Sequence, residues 1–370
     1  MSTMTASSTA GSPAVPVELP LTDAQLGLYY AQALDLANPI FNTSQRVDIR
    51  GPLDLEAFRA AVDQASAEAD AFASAVRDVD GTPHLVFDPV QTPRLQVIDL
   101  TGEVDPLAAA NRRITAEERR FIDLARGPLV QHWLLRIGTD HAIWYMRIHH
   151  ILVDGFGTAL INQRVGALYR SATTGAPAPA GFGSFADIRA EEQAYRASPK
   201  FGPDRAFWHD LFAKLPEVVS LKPGNATTAR HFVRESRDFA HGAVEALQRL
   251  AASANLAWPD ILTALTAAYV ARHTGESTTV LGVPHMGRFG SASARVPAMV
   301  MNVLACPVTI DEAKPLADFL IEVSRRLRQC RRHGRYRSEQ LRRDLGHLGR
   351  DRRLHGPLVN ILPFDTPLDL

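Results

Sequence analysis

Three hundred and seventy residues, 46 % hydrophobic and 22 % charged with a formal net charge of zero, describe a globular chain and exclude disorder as its dominant state. Two cysteines, Cys306 and Cys330, make one bridge at most, which excludes a disulfide scaffold and fits a reducing compartment. Zero net charge hides an asymmetry: between Ser324 and Arg353 twelve arginines face Glu339, Asp344 and Asp351, so this window carries +9 and the remainder −9. Residues 1–17, rich in Ser, Thr, Ala and Pro, lack the basic and apolar stretches of a signal peptide and read as a loose tail. Thr22-Asp23-Ala24-Gln25 opens an amphipathic helix through Ala33, with Thr22 or Asp23 as its N-cap. Phe41 to Arg50 alternates like a strand, and Leu55 to Ala69 and Pro106 to Phe121 have helical periodicity. Leu129 to Ile137 and His141 to His150 are strand-like runs.

Thr173 to Gly183 reads TTGAPAPAGFG, where neither helix nor strand is comfortable, and marks a connector between two units. Beyond it, helices are expected near Phe185 to Arg196, Asp204 to Leu215, Ala243 to Ala252 and Pro259 to His273. Strands are expected near Thr278 to Val283, Ala305 to Ile310 and Leu358 to Leu362. The arginine-rich window keeps Leu327, Leu341 and Leu345 for burial and reads as a solvated helix face. It carries no aromatic stacking platform or helix-turn-helix pattern, so it does not read as a nucleic-acid surface. The alternating signals predict a mixed α/β architecture with two lobes of similar grammar, over residues 18–175 and 176–370. No window reaches the 18 consecutive apolar residues of a membrane span, and a cytoplasmic location is expected.

The densest chemistry lies between His141 and Gly157. Strand alternation turns Trp144, Met146, Ile148 and His150 to one face and Tyr145, Arg147 and His149 to the other, so His150 shares the apolar face. Asp154 follows, and Gly155-Phe156-Gly157 reads as a sharp turn where backbone N–H groups are exposed. An imidazole at a buried strand end, a carboxylate four residues on and such a turn suit a base with its orienter. A hydrogen-bonded core histidine is the competing reading. Zinc is not expected, although His149, His150 and Asp154 are acceptable ligand types, because adjacent strand residues point to opposite faces.

The full pattern His149-His150-Ile151-Leu152-Val153-Asp154-Gly155 resembles the HHxxxDG signature of nonribosomal peptide synthetase condensation domains. Leu19 to Tyr29, LPLTDAQLGLY, is similar to the family's opening "LTxAQxGLW" element, with Tyr where Trp is common. Phe185-Ala186-Asp187 followed by Phe207-Trp208 resembles the segment after the lobe crossover. Gly282 to Arg288, GVPHMGR, is similar to "GxPxxGR", and Val300-Met301-Asn302-Val303-Leu304 to "xVNxLP". His333-Gly334-Arg335-Tyr336 stands where the family has "HQxYP", and Gly356 to Ile361 is also similar. The resemblance spans residues 18 to 370 and is closest in detail to condensation domains of siderophore assembly.

That resemblance implies an α+β sandwich of two chloramphenicol-acetyltransferase-like lobes in a V arrangement, with a tunnel between them. It implies donor and acceptor carrier proteins docking at opposite ends, each delivering its substrate on a phosphopantetheine arm. An acceptor α-amine attacks an acyl or peptidyl thioester and an amide forms, with no metal or diffusible cofactor bound by the chain. Adenylation and carrier domains of a larger synthetase are the implied partners, and neither nucleic acid nor membrane is. His150, with His149 beside it, is the implied group that orients or deprotonates the amine. Gly155 N–H is implied to contact the thioester or intermediate, and Asp154 to hold the loop through an ion pair with Arg288. Asn302, Tyr336 and Gln25 are implied on the substrate tunnel.

Two departures from the family pattern stand out. Where it has "RHExLR", Ala67 to Arg77 reads AEADAFASAVR, without the His and the central Arg. The family pattern also extends roughly 60 to 80 residues past Leu370, half a small domain. The second lobe is therefore expected to lack its closing strands, as a fragment of a larger synthetase or a truncated product. The alternatives are a stand-alone acyltransferase using coenzyme A or carrier thioesters on an alcohol, and a non-catalytic remnant that binds carrier protein. An epimerase would carry a glutamate-bearing second motif, and a heterocyclase Asp in place of the paired His.

Overall fold

A computed structural model describes residues 18–222, 229, 233–240, 242–347, 352–362 and 370. The expected tail over 1–17, and Arg350 and Asp351 of the basic window, lie outside them. The first lobe runs β1 (Glu18–Pro20), α1 (Asp23–Ala33), β2 (Asn42–Arg50), α2 (Leu55–Glu68), β3 (Ser74–Val79), β4 (Thr82–Phe87), β5 (Leu95–Asp99), α3 (Pro106–Glu118), β6 (Val130–Gly138), β7 (His141–His149) and α4 (Gly155–Thr174). After the connector come α5 (Phe185–Arg196), α6 (Phe201–Phe212), α7 (Ala243–Ser253), α8 (Trp258–Thr274), β8 (Thr278–His285), β9 (Asn302–Thr309), α9 (Leu316–Arg332) and α10 (Ser338–Asp344).

The principal sheet has the order β2-β7-β6-β5, with β5 parallel to β6 and the other pairs antiparallel. As an interior strand covered on both faces, β7 is almost continuously apolar. Trp144, Met146 and Ile148 enter the core built with Phe58 and Val62 of α2 and Ile161 and Val165 of α4. Ile143 and Tyr145 turn to the opposite face, against Ala109, Ala110 and Ile114 of α3. Arg147 is buried, with Nε and Nη2 at 3.0 and 2.8 Å from Glu117 Oε1 of α3. Its Nη1 donates to the carbonyls of Pro128 and Leu129. A guanidinium this deep requires that carboxylate, so the pair fixes α3 on the sheet.

A helix replaces the sharp turn expected at Gly155 to Gly157, which forms the first turn of α4. The Asp154 side chain caps it by accepting the Gly157 N–H at 2.9 Å, and Gly175 ends it in the left-handed conformation at φ +76. Glycines in a first turn imitate a loop, but Gly157 answers a tertiary demand. A Cβ there would lie 2.3 Å from Val153 Cγ2 and 3.1 Å from Ala298 N, so the close approach of residue 298 excludes a side chain.

Strands β1, β4 and β3 form a second antiparallel sheet, in that order, which the sequence pattern did not announce. Ala67 to Arg77 runs from α2 through a short 3₁₀ turn into β3 and buries Ala71, Phe72, Ala75 and Val76. The connector lies between α4 and α5, yet Phe185 and Ile188 of α5 belong to the first lobe's core, as do Val296 and Ala298 from between β8 and β9. The second core gathers β8, β9, α8 and α9 around Leu281, Leu304, Ile261, Val323 and Leu327, with Trp208 of α6. Leu327 and Leu341 are buried while Arg325, Arg328 and Arg332 face solvent. The strand expected over Leu358 to Leu362 shrinks to a parallel bridge of Leu358 with Gly282, flanked by Val359 N–H to Gly282 O at 2.8 Å. Leu362 is exposed, so no ladder carries the alternation further among the described residues. No described helix is long and apolar enough to cross a membrane.

Replacing Arg147 by Met removes the buried partner of the Glu117 carboxylate and leaves it the exposed Arg120 at 3.6 Å. Chemical denaturation of Arg147→Met is expected to report a loss of about 3–5 kcal/mol, with much of it recovered by also changing Glu117 to Gln.

Candidate active site at the lobe junction

Strand β7 ends at His149, one residue earlier than the expected run, so His150 sits in the following turn. It is half-buried, and its backbone N–H donates to the Phe41 carbonyl at 2.7 Å. His150 Nδ1 lies 2.9 Å from the Val153 carbonyl oxygen. A carbonyl only accepts, so Nδ1 carries the proton and the lone pair of the neutral ring is on Nε2. The orienter of His150 is thus its own turn, not the Asp154 carboxylate that the His-x3-Asp spacing suggested.

Asp154 is engaged elsewhere. Its Oδ1 accepts from Gly157 N–H at 2.9 Å and from Arg288 Nη2 at 2.7 Å. Oδ2 accepts from the backbone N–H groups of Val300 at 3.2 Å and Met301 at 3.1 Å. Arg288 Nη2 also donates to the Ala298 carbonyl at 2.8 Å, while Nη1 donates to the carbonyls of Ser293 and Val296. Both side chains are only 2–3 % exposed, and the Phe156 ring covers the guanidinium at 4.9 Å. Asp154 therefore joins the start of α4 to the segment between β8 and β9.

His149 has the opposite tautomer. Its Nδ1 accepts the Ile151 N–H at 3.2 Å, which leaves the proton on Nε2, 3.4 Å from Gln32 Oε1. Burial, then the neighbouring His150 and Arg147, push its pKa from an ordinary value near 6.5 down to about 3, so this ring is neutral. Gly155 is exposed at the first helical position of α4, where its N–H has no intrahelical acceptor.

The three residues expected along the tunnel have their polar atoms engaged within the protein. Gln25 forms a capping box with Thr22 and donates to the Ile151 carbonyl at 3.0 Å, supporting the turn after His150. Asn302 donates to the carbonyls of Gly334 and Tyr336, each at 2.9 Å, and accepts from Ser338 N–H at 3.1 Å. Tyr336 donates its hydroxyl to Asp344 and packs in the second core. A cavity of about 110 Å³ at the junction is lined by His285, Met286, Val300, Asn302, Glu191 and Tyr195 among others, and by neither Gln25, Tyr336 nor His150. Its His285 is pushed down to about 4 by burial, then by Arg331 and Arg337. Among the groups that sequence inspection missed, the Val153 carbonyl and the N–H groups of Val300 and Met301 lie inside the HHxxxDG and xVNxLP elements but are not told from their residue types, and Gln32 lies outside every motif. Three of them are backbone atoms, which any residue supplies.

A family model described as Condensation domain matches residues 16–365. The chain belongs to that family. It is 40 % identical over 350 residues to a dimodular nonribosomal peptide synthase of Bacillus subtilis, a match covering 94 % of this chain and 15 % of that protein. It is 31 % identical over 358 residues to enterobactin synthase component F of Escherichia coli, covering 95 % of this chain and 28 % of that one. The chain thus spans well under a third of these relatives' lengths. Among solved structures it is similar to the starter condensation domain of rhizomide synthetase in complex with C8-CoA and Leu-SNAC. That match has a TM-score of 0.86 and 31 % identity, covering 94 % of this chain and 79 % of that one.

For this condensation domain, Asp154→Ala is expected to cost about 3–5 kcal/mol of stability, because it leaves Arg288 buried without its carboxylate. In a denaturation cycle with Arg288→Met the losses should be non-additive by about 0.5–3 kcal/mol, and strict additivity would contradict a direct pair. Acid should also weaken the fold. His149 has a folded pKa below its unfolded one, so below about 6.5 the unfolded chain takes up a proton that the folded chain refuses. Unfolding free energy is expected to fall as pH drops from about 6.5 towards about 3, with His132 and His285 adding in the same sense. Denaturation against pH should be shallower by about one proton in His149→Gln.

Proposed function

We propose that this condensation domain forms an amide between an acyl or peptidyl thioester donor and an aminoacyl acceptor, as part of nonribosomal peptide assembly in the cytoplasm. The carrying observation is the half-buried His150 imidazole, its Nδ1–H bound to the Val153 carbonyl so that Nε2 is the free, proton-accepting atom. Amine attack on the thioester carbon creates an ammonium and an oxyanion. His150 Nε2 suits orientation of the amine and acceptance of the ammonium proton. The oxyanion suits the start of α4, where the exposed Gly155 N–H and the helix dipole favour negative charge. Collapse of the intermediate expels the thiolate of the donor arm, which takes up the proton, and leaves the amide. His149 does not compete for protons, since both its nitrogens are engaged.

This chemistry needs no metal and no diffusible cofactor bound by the chain. Both substrates arrive as thioesters on phosphopantetheine arms of carrier proteins, supplied by adenylation and carrier domains of a larger synthetase. Similarity to the starter condensation domain of rhizomide synthetase supports a starter acyl donor. An acyl-coenzyme A donor is the second reading, favoured by the C8-CoA complex of the rhizomide synthetase starter domain.

Single-turnover assays with carrier-bound donor and acceptor should give amide product, with the rate in His150→Ala lower by about 10²–10⁴-fold and its cooperative unfolding retained. Retention of the wild-type rate in that variant would remove His150 from the reaction. Acyl-coenzyme A in place of the loaded donor carrier, and an alcohol in place of the amine, separate the remaining acyltransferase readings. Carrier binding without turnover identifies a docking remnant.

A further inference from the structure

Gln32, the penultimate residue of α1, is buried, and the HHxxxDG pattern gives it no role. The two N–H groups of its carboxamide are shared among three backbone carbonyls, Asp35 at 2.9 Å, Leu36 at 3.0 Å and Asn38 at 3.1 Å, folding the link between α1 and β2 around one side chain. Its Oε1 faces His149 Nε2. Two routes run from this amide to His150. The first passes through the His149 ring, whose Nδ1 accepts the N–H of Ile151, the peptide group that follows His150. The second passes through Asn38, whose Oδ1 caps the 3₁₀ turn Pro39–Phe41 by accepting from Ile40 N–H at 3.1 Å. The Phe41 carbonyl at the end of that turn accepts the N–H of His150 itself at 2.7 Å. Both peptide N–H groups flanking the His150 Cα are therefore held by acceptors that Gln32 organises.

We propose that Gln32 is a positioning residue for His150, fixing the backbone that carries it through His149 on one side and the Asp35–Phe41 segment on the other. The inference rests on the amide-forming role of His150. A primary amide is the side chain that donates to the link while accepting from His149; methionine does neither, and glutamate keeps only the acceptor. A misplacement of about 1 Å in a reacting group costs up to about 100-fold in rate, which sets the expected scale.

The test uses the full chain labelled with ¹⁵N-histidine, the two rings being assigned through His150→Ala and His149→Gln. Wild type should give His150 as the Nδ1–H tautomer and His149 as the Nε2–H tautomer. In Gln32→Met the His150 ring should lose its single-tautomer signature. Its kcat for amide formation between carrier-bound thioester and carrier-bound aminoacyl substrates should fall about 10- to 100-fold, with both KM values within twofold. Gln32→Glu should retain the His149 signature and lose that of His150, and it serves alone if the Met variant does not fold. An unchanged His150 signature in Gln32→Glu, or a fall in kcat with that signature intact, overturns the proposal. The spectroscopic arm needs no turnover, so failure of wild type to form amide would reject the functional reading and still leave Gln32 tested.

Discussion

The structure depends on the buried contact between Asp154 and Arg288. A carboxylate taken out of water must be matched by donors, and Asp154 is matched by donors from three places: the first turn of α4, the Arg288 side chain, and the backbone of residues 300 and 301. Arg288 in turn has its Nη atoms on the carbonyls of residues 293, 296 and 298. One ion pair thereby sets where α4 begins and how the segment between β8 and β9 lies across the first lobe. Val296 and Ala298 enter the first lobe's core as a consequence, and Gly157 has no room for a side chain. The two lobes share this junction instead of merely touching at it.

Adjacent histidines end in different chemical states because their backbones enter different environments. His149 is the last residue of a strand buried on both faces, so its ring is desolvated and held neutral, with one nitrogen on a peptide N–H and the other towards Gln32. His150 begins the turn, where its ring closes on the Val153 carbonyl and keeps Nε2 free. Burial alone would not separate two imidazoles joined by one peptide bond. The change from strand to turn between them does.

Much of the fold was legible where one side chain pattern dominates a segment. Thr22 with Gln25 marks the start of α1, and the alternating faces of β7 pack as the strand period predicts. The helices over Phe185–Arg196, Ala243–Ser253 and Trp258–Thr274 agree closely with their periodicities. Reading failed where neighbours outvoted local preference. Gly155 and Gly157 resemble a turn but lie in a helix, because Asp154 caps it and residue 298 leaves no room for a Cβ. Short β3 and β4 are rich in small or mixed residues and acquire strand structure only through each other and β1. At the site, His149, His150, Asp154 and Gly155 could be picked out by type and spacing, whereas the orienting Val153 carbonyl and the supporting Gln32 could not.

The amino-acid sequence by itself determined the two-lobed α/β organisation, the residues of the HHxxxDG motif and the family to which they belong. These follow from periodicity and from side chains at fixed spacing, which are properties of a linear chain. Only the tertiary structure decided what each of those groups does. It withheld Asp154 from His150 while forming the Asp154–Arg288 pair that the family resemblance implies, placed Tyr336 in the second core, and assigned opposite tautomers to neighbouring rings. Hydrogen-bond capacity is finite, and which donor reaches which acceptor is settled by segments as far apart as Asp154 and Arg288, separated by 134 positions in the chain.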